Sequence, residues 1–225
     1  MKNIVILSGA GVSADSGIST FRDSDGLWEN HRVEDVCTPE ALARNPALVL
    51  DFYNQRRRQL RTVEPNAGHR AVAELEKKFA VNVVTQNVDN LHERAGSSRV
   101  LHLHGELTKV RSMKDPSYII ETQDDIHVGD CCPAGGQLRP HIVFFGEQVP
   151  LLGKAAQLVS AADILIIAGT SMVVYPAASL YEYAPAGCQI YVINPNDTEL
   201  SAHNLRYIKE RFAEGMPKLA KELMG

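Results

Sequence analysis

An α/β fold, with a parallel sheet covered by helices on both faces and a smaller lobe beside it, is what this sequence predicts. Two patterns carry that expectation. Short β-branched runs recur at residues 3–7, 80–85, 141–145, 163–169 and 189–194, each almost continuously apolar, as strands buried on both faces of a parallel sheet are. Between several of them the apolar spacing changes to a helical period, so strands alternate with helices.

The first run, "NIVIL" (3–7), leads directly into "LSGAGVSADSGISTFRDSDGLW" (7–28). Gly9 and Gly11 suit a tight turn and a close backbone approach to a pyrophosphate, and Ser13 is placed to cap the helix that follows. Gly17 comes late for the G-x-G-x-x-G of hydride-transferring enzymes, and no acidic residue closes a second strand at the usual distance. Dinucleotide binding in another format is the expectation. Residues 30–64 read as helical without a strand. Residues 66–79 form a helix with Ala67, Ala71, Leu75 and Phe79 on one stripe. The run 80–85 ends in Gln86, Asn87 and Asp89. Residues 108–139 are polar, irregular and rich in Asp, Gly and Pro. Helical patterns at 150–162 and 216–224 flank runs that end in Gly169, Thr170 and Ser171 and in Asn194. Four polar strand ends gathered on one sheet edge mark the expected ligand site, since doubly wound sheets bind ligands beyond the carboxyl ends of their strands. Residues 1–225 then read as one domain. Its large lobe takes in 1–29, 65–107 and 140–225, and its small lobe 30–64 and 108–139.

The 225 residues, 44% of them hydrophobic, can bury one sizeable core. A net charge of −4 asks for neither nucleic acid nor an anionic membrane as partner, and "RRRQLR" (56–61) reads as a solvated helix face. The four cysteines suggest no disulfide framework. The N-terminal apolar run is too short for a signal peptide, and no run approaches the roughly 20 apolar residues of a membrane span. A cytoplasmic monomer is the expectation.

"LHLHGEL" (101–107) carries two histidines two apart, either a structural pair or a base aimed at a ligand. Its neighbours favour the second reading for one of them. In order along the chain, "GAGVSADSGISTFR" (9–22), "TQNVDNLHERAG" (85–96), "LHGEL" (103–107), "LRPHIVFFGE" (138–147), "GTSMVVYPAA" (169–178) and "INP" (193–195) resemble the sirtuin family, the NAD-dependent protein-lysine deacylases. The resemblance implies a Rossmann-like NAD lobe, with acyl-lysine proteins or peptides entering the cleft beside a small lobe made of two insertions. The implied products are free lysine, nicotinamide and an O-acyl-ADP-ribose.

Position by position, the resemblance implies that His104 is the catalytic base, taking a proton from a ribose hydroxyl, and that His102 is structural. Asn87 and Asp89 would hold the ribose and the nicotinamide amide, Phe21 would shield the reactive carbon, and Arg22 would order the loop over NAD. Ala10, Ala14, Ile18, Thr20, Trp28, Gln86 and Val88 would be further cofactor-binding positions beside Gly9, Gly11, Ser13 and Gly17. Gly169, Thr170, Ser171, Asn194 and Phe212 would contact the adenosine half. Phe145, Gly146 and Glu147 would line the groove where the substrate backbone adds as a strand.

Tyr53 and Arg56 share a helix face at i and i+3. In the bacterial class III members the same Tyr-x-x-Arg pattern reads succinyl- and malonyl-lysine, Arg gripping the carboxylate in two-pronged fashion. Cys37 stands where those relatives tend to carry alanine, beside the expected acyl pocket. The family's structural zinc is not expected. Ser112 replaces the first cysteine of its ribbon, and Cys131 and Cys132 are adjacent rather than spaced; His127 and His141 complete a ligand set only on paper. A module that binds NAD or ADP-ribose without turnover, and an ADP-ribosyltransferase, are the rival readings.

Overall fold

The computed structural model describes residues 1–18, 27–28, 31–172, 174–196, 200 and 204–225. In chain order its elements are β1 (Asn3–Ser8), α1 (Gly11–Ala14), β2 (Leu27–Trp28), β3 (His31–Arg32), α2 (Val33–Val36), α3 (Pro39–Arg44), α4 (Pro46–Leu60), α5 (Ala67–Leu75), β4 (Ala80–Thr85) and α6 (Leu91–Arg94). Then come β5 (Val100–His102), β6 (Gly105–Ser112), β7 (Ile119–Glu121), β8 (Leu138–Ile142), α7 (Leu152–Ser160), β9 (Ile164–Ala168), β10 (Gln189–Ile193), β11 (Leu205–Ile208) and α8 (Phe212–Met224).

Six of these strands form one parallel sheet in the order β11-β10-β9-β1-β4-β5. Alternation along β1 shows how both faces are covered. Ile4 and Ile6 pack under α5 and α8 with Val72, Leu75, Met216 and Leu219. Val5 and Leu7 pack under α7 and the 3₁₀ turn Ala177–Tyr183 with Val159 and Leu180. Each such fully buried aliphatic side chain stabilises the fold by about 2 kcal/mol. The helices start where the sequence provides caps. Thr38 and Asn45 accept backbone N–H bonds ahead of Pro39 and Pro46, and Asn66 forms a reciprocal capping box with His69.

The strand expected at 141–145 is not in this sheet. Its first two residues, His141 and Ile142, end β8, which lies antiparallel to β6 in a separate sheet of order β7-β6-β8. Ile142 and Phe144 are apolar because they pack against α2–α4, with Val36, Phe52, Tyr53 and Leu107. Residues 108–139, read as irregular, contribute most of this second sheet, and β2 and β3 form a short hairpin at the edge of a stretch expected to lack strands. Among the described residues no helix is long and apolar enough to cross a membrane.

Candidate active site

β10, β9, β1 and β4 are neighbours, so their carboxyl ends fall side by side and bring Asn194, Gly169 to Ser171, Ser8 to Gly11 and Gln86 to Asp89 to one edge. Backbone bonds lock these ends together: Gly9 N–H donates to Ala168 O at 3.1 Å, Gln86 N–H to Ser8 O at 2.9 Å, and Gly11 N–H to Gly169 O at 2.8 Å. That last bond explains the glycines. A Cβ on Gly11 would lie 2.9 Å from Gly169 Cα, and one on Gly169, whose φ is +58°, would lie 2.3 Å from Val12 N. The glycines let two loops touch, a requirement that exists before any ligand arrives. Asn194 Nδ2 donates to Thr170 O at 2.8 Å, and Gln86 Nε2 reaches Thr170 Oγ1 at 3.4 Å.

Ser13 does not cap α1. It lies inside that single turn, and its hydroxyl donates to Asp89 Oδ2 at 2.9 Å while accepting from Asn87 Nδ2 at 3.1 Å. Asp89 Oδ1 also accepts from Leu91 N at 3.1 Å. Asn87, Ser13 and Asp89 are all buried. Burial pushes the Asp89 carboxyl above its usual range, although Leu91 N–H and Ser13 oppose the shift. Asn90 Oδ1, on the same segment, is buried without a partner among the described residues, an acceptor left over for a ligand donor.

His104 occupies the turn between the parallel sheet and the second one, after β5 and just before Gly105. Gly105 has φ +85°, and a Cβ there would lie 2.0 Å from His141 O, so only glycine lets the chain swing from β5 into β6. His104 Nδ1 is 3.0 Å from the Gln86 carbonyl oxygen. A carbonyl can only accept, so Nδ1 carries the proton and Nε2 keeps its lone pair, with no partner among the described residues. Burial lowers the pKa of His104 against the weaker opposing pull of Gln86 O. At neutral pH the ring is neutral and its free nitrogen can accept a proton.

The chain covers this geometry with a known pattern: residues 9–176 match the Sir2 family. The chain belongs to the Sir2 family. It is 56% identical to a Helicobacter pylori protein named NAD-dependent protein deacylase, over 100% of this chain and 98% of that one. Among solved structures it is similar to a Sir2 homolog–NAD complex, with TM-score 0.90 and 41% identity over 99% of this chain and 90% of that one. It is also similar to a Sir2 homologue mutant–ADP ribose complex, with TM-score 0.91 and 40% identity over 99% and 92%.

Other family positions lie as follows. Thr20, Phe21, Arg22 and the side chain of Trp28 lie outside the described residues. Ala10, Ala14 and Gly17 are exposed, and Ile18, Val88 and Ser171 are half-buried. Phe212, expected beside adenine, is a core residue. Its ring stands edge-on to His69 and His92, and a Cβ on Gly68 would lie 2.4 Å from it, so no face is open to a ligand. The Glu147 carboxylate is taken up within the protein. It takes Arg139 at 2.7 Å, Arg111 at 3.2 Å and Phe144 N–H at 2.8 Å. Burial raises its pKa, but these donors outweigh it and hold the carboxyl low. Phe145 is about half exposed, and Gly146, at φ +87°, has open space where a side chain would be.

Tyr53 is fully buried, and its hydroxyl donates to Cys37 Sγ at 3.1 Å, an interaction that sequence did not reveal. Burial raises both pKa values, well above the ordinary tyrosine value for Tyr53. Arg56 lays its guanidinium 4.2 Å over the Phe52 ring and donates to Phe52 O at 3.2 Å. Arg57 is not the solvated residue expected of a basic run. It is 2% exposed and donates to Leu107 O, Asn54 Oδ1 and Asp124 O.

The zinc-ribbon residues do not fit a metal. Cys131 is exposed, whereas Cys132 is buried with its thiol donating to Ser112 Oγ at 3.2 Å. Ser112 Oγ also accepts the N–H groups of Lys114 and Asp115, both at 3.1 Å. Hydrogen bonds tie this turn together, and no tetrahedral thiolate set converges there among the described residues.

Proposed function

We propose that this Sir2 family chain is an NAD-dependent protein-lysine deacylase that favours acidic acyl groups, succinyl and malonyl, over acetyl. The observation that carries the reading is a neutral histidine with a free Nε2, oriented by its bond to Gln86 O, on the same segment as the buried Asn87–Ser13–Asp89 network. The buried polar groups at the sheet edge fit NAD. When bound, NAD supplies an activated ribose carbon and the hydroxyl that finally carries the acyl group. His104 Nε2 takes the proton from that hydroxyl, a task suited to an imidazole that is neutral at cellular pH. Asn87 and Asp89 orient the ribose and the nicotinamide amide through side chains already held by Ser13. Gly9, Gly11, Gly169, Thr170 and Asn194 form the wall along the rest of the dinucleotide. The acyl-lysine backbone lies along Phe145 and Gly146, between the large lobe and the lobe built from α2–α4 and the three-stranded sheet.

The acyl preference rests on Tyr53 and Arg56, one helical turn apart on α4. Arg56 supplies the carboxylate grip, and Tyr53, committed to Cys37, adds shape more than a proton. One peptide carrying acetyl-, malonyl- or succinyl-lysine in turn tests the whole reading. Fast NAD-dependent loss of the acidic groups is expected. Arg56→Met should cost succinyl cleavage far more than acetyl cleavage; equal losses remove the carboxylate grip. NAD binding without cleavage of any peptide replaces the deacylase with a binding module.

A further inference from the structure

The two histidines of "LHLHG" grip successive carbonyls of the segment that carries Asn87 and Asp89. His104 Nδ1 holds Gln86 O at 3.0 Å, and His102 Nδ1 holds Asn87 O at 2.8 Å. Their other nitrogens differ. His104 Nε2 has no partner among the described residues, whereas His102 Nε2 lies 2.7 Å from Glu93 Oε1 on α6. A carbonyl and a carboxylate both accept, so both nitrogens of His102 carry protons and the ring is an imidazolium. Its side chain is 6% exposed. Burial alone would lower its pKa, but the Glu93 hydrogen bond and charge outweigh burial and raise it. The end of β5 and the turn after it thus hold one charged and one neutral histidine.

We propose that His102, held as an imidazolium between the Glu93 carboxylate and the Asn87 carbonyl, is a positioning residue for Asn87 and Asp89, and that loss of its proton sets the alkaline limit of activity. The atoms give the reason. A neutral ring has one proton for two acceptors. The carboxylate is the stronger acceptor and keeps it on Nε2, which turns the Nδ1 lone pair against Asn87 O. The buried carbonyl then loses its donor, and the segment that aligns Asn87 and Asp89 loses one of its two histidine clamps. The other charged or titratable groups around the ring are few. Glu106 on β6 lies in the same cluster as Glu93, within 4.8 Å, and is paired with Lys109. Asp89 follows β4, and its charge and that of His102 favour one another. His92 on α6 is kept neutral by burial.

The kinetic readout rests on the deacylase reading, so NAD affinity by calorimetry accompanies it. In the wild-type protein, kcat/KM for NAD should trace a bell. His104 sets the acid limb and His102 the alkaline limb, with a loss of about tenfold to a hundredfold beyond it. Glu93→Gln keeps an acceptor but removes the charge. It should move the alkaline limb down by about one pH unit and leave the acid limb in place. His102→Gln should lower kcat/KM throughout and abolish the limb. A purely structural role would lower stability without moving a limb. An alkaline limb unchanged in Glu93→Gln, or retained in His102→Gln, overturns the proposal. Absence of deacylation at every pH refutes the deacylase reading instead, and the clamp is then judged by whether NAD affinity weakens above the same pH and shifts with Glu93→Gln.

Discussion

Replacing His69 by glutamine should flatten the acid side of the stability profile. His69 is fully buried beneath the site, with its ring 4.8 Å from His92 and 5.5 Å from Phe212 between centroids. Burial, assisted by Arg70, lowers its pKa from 6.5 to about 4. The sign follows from which state binds the proton. Between those values the unfolded chain is protonated at this residue and the folded chain is not, so stability is present above pH 6.5 and is lost as pH falls towards 4. The full loss is about 3 kcal/mol, at about 1.4 kcal/mol per unit. Between about pH 7.5 and about pH 5.5 it comes to roughly 1.3 kcal/mol. Glutamine is the right replacement because Nδ1 of His69 accepts the Asn66 N–H in the capping box, and a glutamine oxygen at that position can do the same. Urea unfolding at the two pH values measures the effect. The variant should be less stable at the higher pH, because the smaller side chain leaves space against Phe212. Its disadvantage should shrink by about 1 kcal/mol at the lower pH. Parallel profiles for the two proteins would refute the argument, since they would mean His69 is protonated equally in both states.

His104→Ala should leave NAD affinity nearly unchanged while lowering turnover by about a hundredfold or more; activity within tenfold of wild type removes His104 as the base. Cys37→Ala removes the Sγ that accepts from the Tyr53 hydroxyl and, on the proposed reading, should raise the succinyl-to-acetyl ratio of kcat/KM by about threefold or more, with an unchanged ratio counting against that coupling. Gly169→Ala must place a Cβ against Val12 N at a φ of +58°, so thermal unfolding should report a loss of about 2 kcal/mol or more, and an unaltered melt would mean the two loops can part at little cost. Arg57→Met strands the carbonyls of Leu107 and Asp124 and should cost about 3 kcal/mol, with hydrogen-exchange protection lost first around residues 107–126. Loss of protection spread evenly over both sheets would contradict it.

The parallel strands were legible because burial on both faces leaves a continuous apolar run, as in "ILIIA" and "NIVILS". The same rule misassigned "HIVFF". Ile142 and Phe144 are buried against α2–α4 on one face while Phe145 is about half exposed, yet the run is apolar throughout after His141, and composition does not say which sheet it joins. The edge strands β5 and β11, "VLH" and "LRYI", are too short and too polar to stand out. At the site, strand-end polarity located Asn87, Asp89, Thr170 and Asn194 on one edge, because parallel topology forces those ends together. Side-chain partnerships far apart in sequence were not legible. Ser8 meets His92 across 84 residues at 3.1 Å, and Arg57 meets Leu107 across 50. Arg57 reads as solvated because two of its acceptors are the backbone carbonyls of Leu107 and Asp124, which no sequence pattern displays.

α4 ties the three-stranded sheet to the segment that follows β5. Tyr53 and Arg56 lie one turn apart on it, and Asn54 and Arg57 lie one turn apart on the adjoining face, rotated by about 100°. The second pair is an anchor. Asn54 exchanges two bonds with the backbone of Ile126 at 2.9 and 3.0 Å, and Arg57 reaches Leu107 and Asp124. Leu50, on the same helix, packs with Val110, Cys132 and Leu138. A helix turn is stiff on the scale of a hydrogen bond, so the position of Tyr53 and Arg56 follows the position of the anchor. The anchor in turn grips the start of β6, two residues beyond Gly105 and three beyond His104. The three-stranded sheet lacks a fitting zinc set, yet it is fastened to the segment next to His104 by buried bonds from α4. On the proposed reading, this attachment sets the distance between Tyr53 and Arg56 at the acyl end and His104 as the base, and a mutation that loosens Asn54 or Arg57 should raise KM for the acyl-peptide before it affects binding of NAD.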